Sequence, residues 1–90
     1  MRTARRYVIT GRVQGVGFRY TAQRIAQQFA VTGWVRNLPD RRVQLVVEGE
    51  SVELDRLLAA IAERMADYIH SVQMSRELAT GEFSAFEIRT

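Results

Sequence analysis

The residues best suited to chemistry lie in one glycine-rich stretch near the N-terminus, Gly11-Arg12-Val13-Gln14-Gly15-Val16-Gly17-Phe18-Arg19. An alternating segment that is typical of a strand precedes it, and apolar residues at helical spacing follow it. The stretch therefore predicts a loop that opens a helix, where backbone N–H groups and the helix dipole suit an anion. Arg19 adds a permanently charged, planar guanidinium that can bind a phosphate through two hydrogen bonds.

These residues alone leave the alternative interpretations open. Gly15 and Gly17 also fit a plain strand-to-helix turn, in which they only relieve steric strain. Asn37 precedes Leu38-Pro39-Asp40, a sequence typical of a tight turn, and on this basis turn chemistry is the favoured interpretation of Asn37. His70 is the only histidine and has no partner acid or nucleophile in view, so we interpret it as a strand residue without a catalytic task.

The elements that must position these residues follow from hydrophobic periodicity. Strands are predicted over about 5–13, 33–38, 43–48, 68–76 and 83–89, and helices over about 20–30 and 51–66, with Ser51 as the N-cap of the second helix. Arg5 and Arg6 are interpreted as solvated charges at a strand start. The order predicts an α+β, ferredoxin-like βαββαβ sandwich, with a mostly antiparallel four- to five-stranded sheet and two helices on one face. Residues 1–90 are expected to form a single domain.

Composition narrows the classes of function. The chain has 13 Lys+Arg and 10 Asp+Glu, and the net charge of +3 mildly favours a small anionic substrate and permits a nucleic-acid partner without implying one. The absence of cysteine excludes disulfides, a thiolate nucleophile and a thiolate metal site. The basic N-terminus has no long apolar run behind it, so neither a signal peptide nor a membrane span is predicted and a cytoplasmic location is expected.

The glycine-rich stretch, followed by Gly33-Trp34-Val35-Arg36-Asn37 and then by Val47-Glu48-Gly49, resembles the acylphosphatase signature. Two separate motifs occur in the right order at the expected spacing, and the resemblance extends to the closing Phe83-x-x-Phe86-x-Ile88-Arg89. The family fold is the same ferredoxin-like sandwich. The resemblance implies an enzyme that hydrolyses the carboxyl–phosphate bond of a small-molecule acyl phosphate.

The resemblance also implies roles for individual residues. Arg19 would be the phosphate-binding catalytic arginine, and Asn37 would position the attacking water, which reverses the turn interpretation. The phosphate, or another small anion, would be bound by the loop residues Gln14, Gly15, Val16, Gly17, Phe18 and Arg19. A carboxylate leaving group with a pKa of roughly 4 departs without a general acid, so neither a cofactor nor a metal ion is expected. We further expect a monomer that binds neither a membrane nor nucleic acid.

Departures from the family pattern raise two questions. Arg41-Arg42 stands where many members have a glycine after Pro-Asp, and arginine at a positive φ would cost about 1–2 kcal/mol. Residues 64–68 replace a link that is commonly rich in glycine and proline. Arg41 and Arg42 are interpreted as solvated, whereas Arg12 and Arg36 could assist substrate capture or be solvated. The alternatives to an enzyme are a nucleic-acid-binding module and a non-catalytic accessory domain like that of larger carbamoyl-transfer maturation proteins.

Overall fold

The computed structural model describes residues 2–90, which form five strands and two helices. In chain order these are β1 (Arg2–Gly11), α1 (Phe18–Ala26), β2 (Val31–Asn37), β3 (Val43–Glu50), α2 (Ser51–Arg64), β4 (Ile69–Glu77) and β5 (Phe86–Arg89). The predicted α+β, ferredoxin-like fold is confirmed. No helix among residues 2–90 is both long and apolar enough to cross a membrane.

The sheet topology brings the C-terminal ends of β1 and β2 to the same end of the sheet. The strand order is β4-β1-β3-β2-β5, and neighbouring strands are antiparallel except for the parallel pair of β2 and β5. Because β1 and β2 both run antiparallel to β3, they run parallel to each other. Val43 pairs with Ile9 on one side and with Asn37 on the other. The loop that follows β1 therefore starts beside the residue that ends β2.

Both helices pack on one face of the sheet and enclose the core. Helix α2 buries Leu54, Leu57 and Ile61 completely against strand residues that include Leu45 and Val47. Each such side chain contributes about 1.5–3 kcal/mol on burial. The buried residues of α1 are Phe18, Ala22 and Ala26. Because Phe18 is the first residue of α1, the core anchors the helix at the point where the glycine-rich loop ends.

A connection that we call the crossover loop, residues 78–85, spans the face of the sheet away from the helices. It is required because β4 and β5 lie at opposite edges of the sheet. Glu48, in the central strand β3, is only 1% exposed and accepts hydrogen bonds from this loop. Thr80 donates through its N–H and its hydroxyl, both at 2.9 Å, and Gly81 donates through its N–H at 2.9 Å. Burial by itself would raise the pKa of Glu48, but these donors outweigh it and lower the pKa.

The boundaries of several elements differ from the predictions for local physical reasons. Helix α1 begins at Phe18. It ends at Ala26 because residues 27–29 tighten into a turn, in which Gln28 N–H donates to Ile25 O at 3.0 Å. Strand β5 begins at Phe86 because the residues before it belong to the crossover loop. The N-cap of α2 is Glu50, and the predicted cap Ser51 is the first helical residue.

The interpretation of Arg5 as a solvated charge is wrong. Arg5 is 8% exposed, and its guanidinium donates hydrogen bonds to the carboxylate of Asp55 and to the hydroxyl of Tyr7. These hydrogen bonds raise the pKa of Arg5 above its usual value. Arg5 therefore ties β1 to α2. Arg6, by contrast, is partly exposed and pairs with Glu77 of β4.

Candidate active site

The loop between β1 and α1, residues 12–17, is shaped by two glycines, and we call it the cradle loop. Gly15 has a φ of 78° and Gly17 a φ of 76°, a left-handed conformation that costs other residues about 1–2 kcal/mol. A Cβ atom added at either position would meet nothing within 4 Å. These glycines are therefore required by the backbone conformation and not by close packing, and the space beside them is open.

The cradle loop ends at the N-terminus of α1, which has unused hydrogen-bond donors. Gly17 is the N-cap, with its carbonyl accepting from Thr21 N–H at 3.0 Å, and no side chain caps the helix. The N–H groups of residues 18–20 consequently have no partner within the helix. No acidic residue lies in the first turn of α1, all of which the structure describes. The positive end of the helix dipole is thus free to attract an anion.

A small cavity of about 120 Å³ lies at this helix start and extends to the end of β2. Its lining residues come from the cradle loop, α1 and β2, and they are Val13, Gly15, Gly17, Phe18, Arg19, Tyr20 and Asn37. Pockets for drug-sized ligands measure about 300–1,000 Å³, so this smaller cavity suits a group the size of a phosphate. The structure therefore brings together Arg19, Asn37 and both loop glycines.

Asn37, which lines this cavity, carries an unsatisfied polar atom. Its Oδ1 is buried and has no hydrogen-bond partner among residues 2–90. Such an atom costs about 1–3 kcal/mol unless water or a ligand satisfies it. The turn that follows is instead stabilised by Asp40, whose carboxylate accepts from Arg42 N–H at 3.2 Å and from Arg42 Nε at 2.7 Å. Asn37 is therefore a lining residue of the cavity whose side-chain oxygen is not used in the turn or elsewhere among residues 2–90.

The guanidinium of Arg19 is also available. Its Nη1 donates one long hydrogen bond, of 3.4 Å, to the carbonyl oxygen of Arg89 at the end of β5. Within the part of the chain that the structure describes, Arg19 forms no ion pair. The charge of Arg19 is thus held near the cavity without a carboxylate to neutralise it.

Two of the predicted loop residues do not line this cavity. Gln14 uses its side chain elsewhere, because Nε2 donates to the carbonyl oxygens of Leu38 at 2.8 Å and Arg42 at 3.0 Å. Gln14 thereby fastens the cradle loop to the β2–β3 hairpin. Val16 packs against the hydrophobic core. For Gln14 and Val16, the prediction of phosphate binding therefore concerns only their backbone N–H groups.

The structure adds two lining residues that the sequence did not single out, Val13 and Tyr20. Val13 is an apolar residue that is 1% exposed, whereas Tyr20 is 70% exposed. Both flank predicted site residues in the sequence, and that adjacency was the only available signal. No group of three or more His, Cys, Asp or Glu side chains among residues 2–90 is placed to hold a metal ion.

The face of the sheet away from the helices offers little support for stacking of nucleic-acid bases. Trp34 lies there but is only 9% exposed. The guanidinium carbons of Arg36 and Arg89 each lie 5.2 Å from the centroid of its ring. Arg36 also donates to Gln44 at 3.0 Å, so it belongs to this face and not to the cavity.

Comparison with known proteins identifies the family. The family profile described as acylphosphatase matches residues 5–88. The chain belongs to the acylphosphatase family. An acylphosphatase of Acaryochloris marina is 45% identical over 82 residues, which cover 90% of this chain and 87% of that protein. The crystal structure of acylphosphatase from Bacillus subtilis superposes with a TM-score of 0.87 at 28% identity and covers 100% of both chains.

A larger protein contains a similar fold. The crystal structure of HypF from T. kodakarensis matches with a TM-score of 0.84 at 26% identity, covering 98% of this chain but only 12% of that one. The A. marina relative, in contrast, matches this chain over most of its own length. The prediction of the acylphosphatase family, and with it of the enzyme class, is confirmed.

Proposed function

We propose that this chain hydrolyses acyl phosphates at the 120 Å³ cavity, where Arg19 and the cradle loop bind the phosphoryl group and Asn37 positions the attacking water. One observation carries the proposal. A single cavity is lined by an unpaired arginine, by the uncapped N-terminus of a helix and by a residue whose buried amide oxygen lacks a partner.

The donors at the cavity are suited to a phosphoryl group. The two terminal nitrogens of Arg19 can bind two phosphoryl oxygens, and N–H groups of residues 15–19 supply further donors. During phosphoryl transfer, negative charge is spread over the equatorial oxygens, and preorganised donors of this kind stabilise that charge. Gly15 and Gly17 contribute the positive φ angles on which the conformation of this loop depends.

The water molecule is assigned to Asn37. Its Oδ1 would accept a hydrogen bond from the water and leave an oxygen lone pair directed at phosphorus. The new P–O bond forms as the bond from phosphorus to the acyl oxygen breaks, and the electron pair leaves with the carboxylate. The proton of the water passes to a phosphoryl oxygen of the substrate. Because the leaving carboxylate has a pKa of roughly 4, no general acid is needed.

Hydrolysis of benzoyl phosphate, followed by absorbance in a buffer that contains a chelator, tests the proposal. We expect metal-independent turnover by the wild type and a loss of at least about 10²-fold in Arg19→Ala and in Asn37→Ala. Arg24→Ala is the matched control, because Arg24 lies in the last turn of the same helix and outside the 120 Å³ cavity. Circular dichroism confirms that each variant is folded. Wild-type protein that is folded but inactive would refute the proposal.

A further inference from the structure

A second cavity, of about 440 Å³, adjoins the phosphate-sized cavity and is lined by Gly11, Arg12, Val13, Gln14, Gly15 and Arg41. The two cavities share Val13 and Gly15 as walls. The larger cavity is therefore the neighbouring space for a group attached to a phosphate in the smaller cavity. In volume, this second cavity falls in the range of about 300–1,000 Å³ that is typical of small-molecule sites.

The charge of the larger cavity is positive. It is lined by two arginines, and no acidic residue is among its lining residues. Within residues 2–90, neither Arg12 nor Arg41 forms an ion pair. The guanidinium carbon of Arg12 lies 5.7 Å from the centroid of the Tyr68 ring, a contact that orients the side chain without neutralising it. The neighbouring Arg42, by contrast, is paired with Asp40 at 2.7 Å.

The position of Arg41 is unusual in its backbone conformation. It is the one non-glycine residue between 2 and 90 with a positive φ, at 74°. The turn consists of Pro39, Asp40 and Arg41 between β2 and β3, and a three-residue hairpin loop of this kind favours glycine at its last position. Backbone strain at a non-glycine residue such as Arg41 is common at binding sites.

The wall that carries Arg41 is held in place. Gln14 donates to the carbonyl oxygens of Leu38 and Arg42, which lie on the two sides of the turn. Leu38 N–H in turn donates to Arg42 O at 2.8 Å. The cradle loop and the turn are thus fastened together, and the 440 Å³ cavity lies beside this junction.

We propose that this second cavity is an acyl-group site that prefers acyl phosphates carrying a further anionic group, such as a terminal carboxylate, through Arg12 and Arg41. The proposal rests on the proposed function for catalysis, but the preference itself is a property of binding. With the phosphoryl group in the smaller cavity, the acyl chain enters the larger one. A carboxylate at its end then meets two guanidinium groups that have no other anion to bind.

The test compares succinyl phosphate with butyryl phosphate, which have acyl chains of equal carbon number and differ in a terminal carboxylate or methyl group. For the wild type at low salt, we expect kcat/KM for succinyl phosphate to exceed that for butyryl phosphate at least about fivefold. The ratio should fall toward one in Arg12→Gln and in Arg41→Gln. Arg41→Lys should restore part of it, because a positive charge returns to the same position.

The matched control is Arg24→Gln, which removes the same charge from an exposed residue outside the cavity without freeing a carboxylate beside Arg41. This variant should retain the wild-type ratio. An equal fall of the ratio in Arg24→Gln and Arg41→Gln would overturn the proposal, because the preference would then reflect the general field of the protein. A wild-type ratio near one would also overturn it.

Binding without turnover separates this proposal from the proposed function. Calorimetry with 4-phosphonobutyrate and butylphosphonate measures the anion preference on ligands that cannot be hydrolysed. If the wild type bound the carboxylated phosphonate at least about fivefold more tightly and turned over neither acyl phosphate, the second site would stand and the proposed function would fail. Equal affinity for the two phosphonates would refute the second site whatever the turnover.

Discussion

Replacement of Glu48 by glutamine tests how the crossover loop is held across the sheet. The two carboxylate oxygens accept from Thr80 N–H, the Thr80 hydroxyl and Gly81 N–H, all at 2.9 Å. Glutamine keeps one acceptor oxygen but turns an NH₂ group toward a backbone N–H of the crossover loop, so that this hydrogen bond is lost. A hydrogen bond to a charged group contributes about 1.5–3 kcal/mol, and the bonds to the remaining donors are weakened because the acceptor is no longer charged. We therefore expect Glu48→Gln to lower the free energy of unfolding by about 2–3 kcal/mol.

Urea denaturation at neutral pH measures this loss directly. For a domain of this size, it corresponds to a fall in Tm of about 8–24 °C. Glu63→Gln, at an exposed position of α2, is the control and should change stability by less than about 0.5 kcal/mol. A Glu48→Gln variant as stable as this control would show that the buried carboxylate does not hold the loop.

The pH dependence provides a second measurement of the same contact. Hydrogen bonds from the crossover loop outweigh burial, so the pKa of Glu48 is lower in the folded protein than in the unfolded chain. A depressed folded pKa stabilises the fold above the unfolded pKa of about 4.3, and this contribution is lost as the pH falls through the folded pKa. The stability difference between the wild type and Glu48→Gln should therefore narrow at acidic pH. A constant difference between pH 7 and pH 3 would contradict the assignment.

Three further predictions concern the loops and the chemistry. Gly17→Ala and Gly81→Ala both place a Cβ in open space, at a φ of 76° and 72°, so each should lower the free energy of unfolding by about 1–2 kcal/mol. Only Gly17→Ala should also weaken the inhibition of turnover by inorganic phosphate. Equal inhibition constants for the two variants would show that the cradle loop is not part of the site. Arg41→Gly relieves a positive φ and should raise stability by about 0.5–1 kcal/mol in urea denaturation, and an unchanged midpoint would show that the turn carries no strain. Hydrolysis in ¹⁸O-labelled water should place the label in inorganic phosphate, as read by mass spectrometry, and label in the carboxylate would show attack at carbon.

The part of the site that could be predicted from sequence is the part that is local in the chain. Gly15, Gly17 and Arg19 lie within one short stretch, so the loop and the helix start could be placed together. The residues alone did not indicate a catalytic role for Asn37, because its neighbours Leu38-Pro39-Asp40 are typical of a turn. The resemblance to a family supplied that role. Only the pairing of Val43 with both Ile9 and Asn37 shows why β1 and β2 end at the same place.

The parts that could not be predicted depend on contacts between distant elements. Arg5 sits at a strand start, where charges are usually solvated, and its burial follows from the packing of α2 with Asp55 beside it. Glu48 alternates with apolar residues as an exposed residue would, and it is covered only because the crossover loop must span the sheet. The side chain of Gln14 likewise acts on a hairpin more than twenty positions away, at Leu38. None of these contacts has a signature in the local sequence.

The most direct test of the central claim is a comparison of turnover and phosphate affinity in Asn37→Ala and Arg19→Ala. If Asn37 positions water and Arg19 binds the phosphoryl group, Asn37→Ala should lose at least about 10²-fold in kcat for benzoyl phosphate. Its inhibition constant for inorganic phosphate, measured on the residual turnover, should stay within about threefold of the wild-type value. Arg19→Ala should lose both turnover and phosphate affinity. An Asn37→Ala variant with kcat within about threefold of the wild type would contradict the assignment of the water to Asn37.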